Sequence, residues 1–173
     1  ADADLRRVGN TVLTTPNWRT LLVGALGAGG RGYFVLDVTD PANVGTGNVL
    51  IDRTFAAEAT GTQVPHGDIG HLHAPAVTDG PLTQRSEQIV KLNDGRWAVV
   101  LGNGVNSANE RPVLLIQYLD GDRALRPIVA NSTNGAGNGL GPARPIDIDG
   151  NGTADVVYAG DLKGQLWKFN LSN

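Results

Sequence analysis

The 173-residue chain contains no cysteine and no methionine, and aromatic residues make up only 5% of it. The absence of cysteine excludes a disulfide, a thiolate nucleophile and any zinc site built on cysteine. Excess positive charge is also missing, because the formal net charge is -3. A chain without a basic patch lacks the electrostatic footprint of nucleic-acid binding, so we expect no DNA or RNA partner.

Long hydrophobic runs are missing as well. The longest, residues 20–28, is interrupted by glycine and is far shorter than the roughly 20 apolar residues that span a bilayer. We therefore expect no direct membrane insertion. The sequence starts Ala-Asp-Ala-Asp without a methionine, and we interpret it as an excised or processed piece of a longer protein.

Glycine is the residue type present in excess, with 24 glycines and a further 9 prolines, while 40% of the chain is apolar. This composition favours short strands joined by tight turns over helix bundles. The length fits one domain by the usual prior of roughly 100–200 residues. The sequence therefore predicts one mostly β domain.

A loop rich in side-chain oxygens precedes an apolar run near the end of the chain. Its oxygen-bearing residues alternate with others along the sequence and are Asp147, Asp149, Asn151, Thr153 and Asp155. Calcium takes about 6–8 oxygen ligands, and a D-x-[DN]-x-[DN]-G loop offers side chains at positions one, three and five and a backbone carbonyl at seven. We therefore predict a Ca²⁺ site with these five residues as ligands.

The surroundings of this loop differ from those of an EF-hand. Asp155 stands at position nine, and residues 156–160 read as a strand, so the loop is predicted to lie in a β-hairpin. Gly150 and Gly152 accept the positive φ that such a loop needs. The alternative is an ordinary polar turn; against it, three carboxylates without a cation are expected to repel one another and raise each pKa.

A weak internal repeat indicates how the strands are organised. Each copy is an apolar strand ending in glycine, a polar turn and a second strand, which is typical of a hairpin. The three copies pair residues 18–24 with 32–37, 97–102 with 112–117, and 155–160 with 164–170. Further strands are expected at 49–55, 74–77, 88–92 and 124–130.

Four-stranded units repeated around an axis make a β-propeller, which we take as the fold class within the all-β proteins. The predicted units are residues 1–60, 61–131 and 132–173, with an insertion at 78–87. Propellers typically have 4–8 blades. Three units would thus be part of one larger ring.

Few other residues suggest chemistry. The three histidines, His66, His71 and His73, could form a three-nitrogen metal site, or they could belong to a polar loop. The glycines of residues 24–30 lack the Gly-Lys-Ser/Thr ending of a phosphate-binding loop, and no nucleophile motif is present. We expect no catalytic residues.

Three stretches, residues 18–41, 92–107 and 147–170, resemble the C-terminal β-propeller of the PilY/PilC-type family of bacterial type IV pilus assembly and tip factors. The resemblance implies quinoprotein-like blades, no enzymatic activity, and a calcium loop formed by the five residues named above. It also implies that calcium occupancy regulates pilus extension and retraction, twitching motility and surface adhesion. The implied partners are minor pilins at the pilus tip and host or abiotic surfaces, and the implied location is secreted, at the pilus tip or outer membrane.

The chain departs from the family pattern at residues 68–75, where an aromatic residue is expected in place of one or both histidines. Two other interpretations stay open. A pyrroloquinoline-quinone dehydrogenase propeller shares the blade pattern and calcium, but no cluster here suits the quinone. An integrin-like cell-surface propeller uses similar calcium loops, but it predicts one loop per blade.

Overall fold

The computed structural model describes residues 1–54, 67–73, 88–133 and 135–172. Their regular structure consists of β-strands and three short 3-10 turns. The strands are β1 Asp2–Asp4, β2 Arg7–Val8, β3 Thr11–Val12, β4 Trp18–Ala25, β5 Tyr33–Asp37, β6 Val49–Asp52, β7 Ile89–Lys91, β8 Trp97–Gly102, β9 Val113–Tyr118, β10 Leu125–Val129, β11 Arg144–Ile146, β12 Val156–Gly160 and β13 Leu166–Asn170. Among the described residues, no helix has the length and apolar character needed to cross a bilayer.

The strands form three antiparallel sheets, each drawn from its own stretch of the chain. The first has the order β1-β4-β5-β6, the second β7-β8-β9-β10 and the third β11-β12-β13, while β2 and β3 form a separate small hairpin. This meander of neighbouring strands is the arrangement expected of propeller blades. The all-β prediction is confirmed.

The hairpins expected from the repeat are present. Strand β4 pairs with β5, β8 with β9, and β12 with β13. The predicted outer strands correspond to β6 and β10, and the predicted segment 88–92 contains β7. The strand expected at 74–77 and the insertion at 78–87 lie outside the described residues.

Two inner strands have no counterpart in the sequence-based assignment. Strands β1 and β11 are three residues each, with the sequences Asp-Ala-Asp and Arg-Pro-Ile. Neither carries the run of β-branched and aromatic residues that marks a strand. They form because β4 and β12 offer free edges that they can pair with.

The second sheet is packed on both faces. All six residues of β9 are buried, and because side chains alternate between the faces of a strand, they enter two different cores. Val113 and Leu115 belong to the cluster shared with the first sheet, whereas Leu114 and Ile116 belong to the cluster shared with the third. We call the three sheets blades one, two and three in chain order. Blade two is therefore stacked face to face with blade one on one side and with blade three on the other.

Glycines permit a close approach of main chains where these sheets meet. A Cβ built on Gly102 would lie 1.8 Å from the carbonyl oxygen of Gly141, and one on Gly139 would lie 1.9 Å from that of Gly104. These positions have no room for any side chain. The segment leading into β11 is thus held directly against the end of β8.

The segment after Gly102 is also tied by one buried amide. Asn103 is fully buried, and its Nδ2 donates to the carbonyl oxygens of Asp68 at 2.7 Å and Arg111 at 2.9 Å. Its Oδ1 accepts from the main-chain N–H of Val113 at 3.1 Å and of Leu140 at 2.8 Å. The side chain therefore joins three separate segments and leaves none of its polar groups unsatisfied.

Replacing Gly102 by alanine should strongly destabilise the fold, because the new methyl group meets a backbone oxygen that cannot move without disturbing β11. We expect the free energy of unfolding to fall by about 3 kcal/mol, measured by urea denaturation. Gly47→Ala is the matched control, since nothing lies within 4 Å of its Cβ position. Equal stabilities of the two variants would contradict this account of the junction.

Candidate metal site

The oxygen-rich loop, residues 147–155, joins β11 to β12, which pair in an antiparallel register. The prediction that it lies in a β-hairpin is confirmed. Gly150 and Gly152 have φ of 76° and 86°, the left-handed region that glycine enters without a Cβ clash. The chain can therefore curl tightly enough for side chains two residues apart to face the same point.

Three carboxylates converge in this loop. One oxygen from each of Asp147, Asp149 and Asp155 lies within 4.8 Å of the others, and no other such acidic, histidine or cysteine cluster occurs within the described parts of the chain. Asp147 and Asp149 are exposed, whereas Asp155 is buried. The group is open to solvent on one side and anchored in the fold on the other.

Asp147 organises the turn by accepting main-chain hydrogen bonds. Its Oδ1 accepts from the N–H of Gly150 at 2.7 Å and of Asn151 at 3.2 Å, and its Oδ2 accepts from the N–H of Gly152 at 2.7 Å. These donors, with Gly152 first, hold the pKa of Asp147 below its ordinary value. The same hydrogen bonds therefore fix the turn and favour the charged form of the carboxylate.

Asp155 closes the loop from its other end. Its Oδ2 accepts from the N–H of Ile148 at 2.8 Å, and its Oδ1 accepts from Nδ2 of Asn93 at 3.1 Å. The Ile148 N–H, followed by the Asn93 amide, holds the pKa of Asp155 below its ordinary value.

The expectation that mutual repulsion would raise every pKa in the loop is thus wrong for Asp147 and Asp155. Its physical error was to count only the neighbouring charges. Main-chain N–H groups aimed at a carboxylate favour its ionised form, and here they outweigh the desolvation that would raise each pKa.

The two other predicted ligands lie in the loop but make different contacts. Asn151 donates from Nδ2 to Oδ2 of Asp149 at 2.9 Å, so its side chain borders the carboxylates. The Oγ1 of Thr153 lies 2.6 Å from Oδ1 of Asn93 and 2.5 Å from Oδ1 of Asn151. The Thr153 hydroxyl therefore lies between its own loop and the second sheet.

Sequence reasoning missed two residues of this site. Asn93 comes from the turn between β7 and β8, and Ser172 follows β13 with its Oγ 3.4 Å from Oδ1 of Asp155. Both are ordinary polar residues in loops, and their separation from the loop in sequence leaves no local pattern to identify them. Only the stacking of the sheets brings Asn93 to the loop.

The donor set determines which ligands the site can accept. The three aspartates of the loop offer carboxylate oxygens, and hard divalent cations prefer such ligands, whereas Asn151 presents its Nδ2 to Asp149. An open cavity lined by Asn93, Ile148, Asp149, Asp155 and Ser172 lies beside the loop and supplies an entry path. The three converging carboxylates are able to hold a metal ion.

The histidine hypothesis is only partly accessible, because His66 lies outside the described residues. The rings of His71 and His73 are stacked with centroids 5.9 Å apart, and Nδ1 of His71 lies 3.0 Å from the carbonyl oxygen of Gly27. This contact uses one ring nitrogen of His71 in joining two loops. A metal site at these histidines stays a prediction.

Comparison with known proteins shows what the chain is similar to. The family model described as PilY1 beta-propeller domain matches residues 5–173. A type IV pilus biogenesis factor PilY1 homolog of Xylella fastidiosa is 39% identical over 165 residues, covering 90% of this chain and 10% of that protein. Type IV pilus biogenesis factor PilY1 of Pseudomonas aeruginosa PAO1 is 39% identical over 154 residues, covering 89% of this chain and 11% of that protein.

A solved structure gives the same result for the fold. The crystal structure of the Pseudomonas aeruginosa PilY1 C-terminal domain superposes with a TM-score of 0.68 at 37% sequence identity, over 89% of this chain and 27% of that one. The resemblance and the β-propeller fold proposed from the sequence are confirmed. The chain spans about a tenth of the length of the curated relatives it matches.

The Asp147 hydrogen bonds should order the loop even without a cation. Asp147→Ala removes the acceptor of three main-chain N–H groups, so the amides of Gly150 and Gly152 should exchange with solvent faster in chelator-treated protein, measured by NMR. Asp149→Ala is the matched control. Among the three main-chain amides that donate to Asp147, only that of Asn151 also donates to Asp149. Equal acceleration of the two glycine amides in both variants would refute this role of Asp147.

Proposed function

This chain belongs to the PilY1 β-propeller domain family, and from that premise we propose that it is the calcium-binding β-propeller module of a type IV pilus biogenesis factor and tip adhesin. The observation that carries the proposal is the convergence of the Asp147, Asp149 and Asp155 carboxylates in one hairpin loop. The names of the relatives, all pilus biogenesis factors, support the pilus part of it.

The donor set of the loop fits Ca²⁺. We assign the ion to Asp147, Asp149, Asn151, Asp155 and the main-chain carbonyl of Thr153, as the loop pattern predicts. Main-chain donors lower the pKa of Asp147 and of Asp155, and carboxylates of this kind are charged at neutral pH, so binding needs little proton release. Three charged carboxylates this close together favour binding of a divalent cation over an unoccupied loop.

Calcium suits the loop better than magnesium does. Mg²⁺ demands near-ideal octahedral geometry at short distances and sheds its water reluctantly, whereas Ca²⁺ tolerates irregular loops with more ligands. A nine-residue loop with two exposed carboxylates can adjust to the larger ion. We therefore expect preference for Ca²⁺ at equal concentration.

Binding at this loop would act on the fold as well as on the loop itself. An ion that binds only the folded state adds stability by mass action, about 2.7 kcal/mol at a concentration 100 times the dissociation constant. Asp155 is buried next to β12, so that stabilisation reaches the third sheet. We propose that this change of rigidity is how calcium occupancy regulates pilus extension and retraction, twitching motility and surface adhesion.

The proposed setting follows from the pilus role. The module acts in a secreted or cell-surface protein at the pilus tip or outer membrane, with minor pilins and host or abiotic surfaces as partners. We propose no enzymatic activity. No specific contact among the described residues favours the quinone dehydrogenase or the integrin-like alternative.

Calcium binding is tested by isothermal titration calorimetry on metal-stripped protein. We expect one saturable site for Ca²⁺, much weaker binding of Mg²⁺, and at least about a tenfold loss of Ca²⁺ affinity in Asp149→Asn, because ligand charge tunes such sites. Asp40→Asn is the control: it removes the same charge from an exposed side chain that caps a 3-10 turn elsewhere. A folded wild-type chain that binds no Ca²⁺ would overturn the proposal.

The pilus role is tested in the bacterium that encodes the full-length protein. Asp149→Asn should change the amount of surface pili and the diameter of twitching zones at matched protein levels, because it weakens calcium binding without removing a core side chain. Asp40→Asn should behave as wild type. Suppose that Asp149→Asn binds Ca²⁺ more weakly in calorimetry but matches wild type in cells, as the control does. Calcium then does not regulate the pilus through this loop.

A further inference from the structure

The turn between β7 and β8, residues 92–96, is in contact with the oxygen-rich loop of the next sheet. Leu92 and Ala154 form an isolated parallel bridge, and the N–H of Ala154 donates to the carbonyl oxygen of Lys91 at 2.8 Å. The main chains of blades two and three are therefore joined at the point where the loop runs into β12. Residues 153–155 are therefore in direct main-chain contact with the second sheet.

Asn93 strengthens this junction with its side chain. Its Nδ2 donates to Oδ1 of Asp155 at 3.1 Å and to the carbonyl oxygen of Ala154 at 3.4 Å, and its Oδ1 faces Oγ1 of Thr153 at 2.6 Å. The bond to a carboxylate is charge-assisted and therefore stronger than a neutral one. One exposed amide thus binds both ends of the segment 153–155.

The hydroxyl of Thr153 is shared between two acceptors. Its Oγ1 lies within hydrogen-bonding distance of Oδ1 of both Asn93 and Asn151, but a hydroxyl has a single proton to donate. The amide orientation of Asn93 is defined by its donation to Asp155, so its Oδ1 must face the hydroxyl. Asn151 and Asn93 therefore compete for one donor.

We propose that Asn93 is a positioning residue that couples occupancy of the loop to the interface between blades two and three. The inference rests on the calcium binding proposed above. If Oδ1 of Asn151 turns to the ion, the Thr153 proton is left to Asn93, and the contact of Asn93 with both Thr153 and Asp155 tightens. Occupancy of the loop in blade three then restricts the motion of the turn in blade two, residues 92–96.

Reciprocity follows from thermodynamic linkage. If the ion tightens the Asn93 contacts, those contacts must raise the affinity for the ion by the same factor. Partners of this kind around metal ligands typically change metal affinity by 10–100-fold when they are removed. Asn93→Ala should therefore weaken Ca²⁺ binding about tenfold although all five assigned ligands remain.

Hydrogen exchange measured with and without saturating Ca²⁺ tests the coupling. In the wild-type chain we expect Ca²⁺ to slow exchange in the loop, residues 147–155, and also in the turn, residues 92–96. In Asn93→Ala at saturating Ca²⁺ the loop should still be protected, while the calcium-dependent protection of the turn should be lost. Calorimetry on the same samples supplies the affinities.

Asn109→Ala is the matched control. Asn109 also donates its Nδ2 to a buried aspartate, reaching Oδ1 of Asp68 at 2.8 Å in a loop contact outside residues 147–155. Its loss removes a comparable amide-carboxylate bond, so stability should fall while Ca²⁺ affinity and turn protection stay as in wild type. A general loosening of the fold would instead affect both variants alike.

The outcomes separate this inference from the one beneath it. If Ca²⁺ protects neither loop nor turn in wild type, calcium binding itself fails and the coupling fails with it. If Ca²⁺ protects the loop but not the turn, or if Asn93→Ala keeps wild-type turn protection and affinity, the site stands and the coupling is overturned. The coupling is supported if the calcium-dependent protection of the turn is lost in Asn93→Ala and retained in Asn109→Ala.

Discussion

Burial of the second sheet on both faces is the constraint on which the described structure depends. Strand β9 has no solvent-exposed side, so its apolar residues must be accommodated by the core with blade one or the core with blade three. Such a sheet cannot slip by one residue, because a slip would exchange the two sets of side chains. The register of the central blade therefore sets the positions of both neighbours.

Stacking of the sheets determines what meets at their ends. At one end, Gly102 and Gly139 let main chains approach with no side chain between them, and the buried amide of Asn103 satisfies the carbonyl and N–H groups there. At the other end, the turn after β7 lies against the loop before β12. One packing arrangement thus produces both the close main-chain junction and the surroundings of the candidate metal site.

The oxygen-rich loop brings three carboxylates together without raising the pKa of Asp147 or of Asp155. Main-chain donors lower the pKa of Asp147 and of Asp155, because a hydrogen bond to the charged form of a carboxylate favours that form. The hydrogen bonds of the loop thus fix two of its three converging carboxylates. Since Asp155 and Thr153 are also held by Asn93, the arrangement of the loop depends on two blades.

The sequence by itself determined the features that arise within a few residues: the hairpins β4–β5, β8–β9 and β12–β13, the turn glycines of the loop, and the carboxylates at alternate positions. Alternation of side chains and turn chemistry are local, so they can be read along the chain. Tertiary structure alone decided the rest. Strands β1 and β11 form by pairing with the edges of other strands, and Asn93 reaches Asp155 across 62 residues. The pKa of Asp147 depends on the directions of nearby main-chain N–H groups. None of these could be read from the sequence, because the geometry of distant or folded-back segments has no local signature.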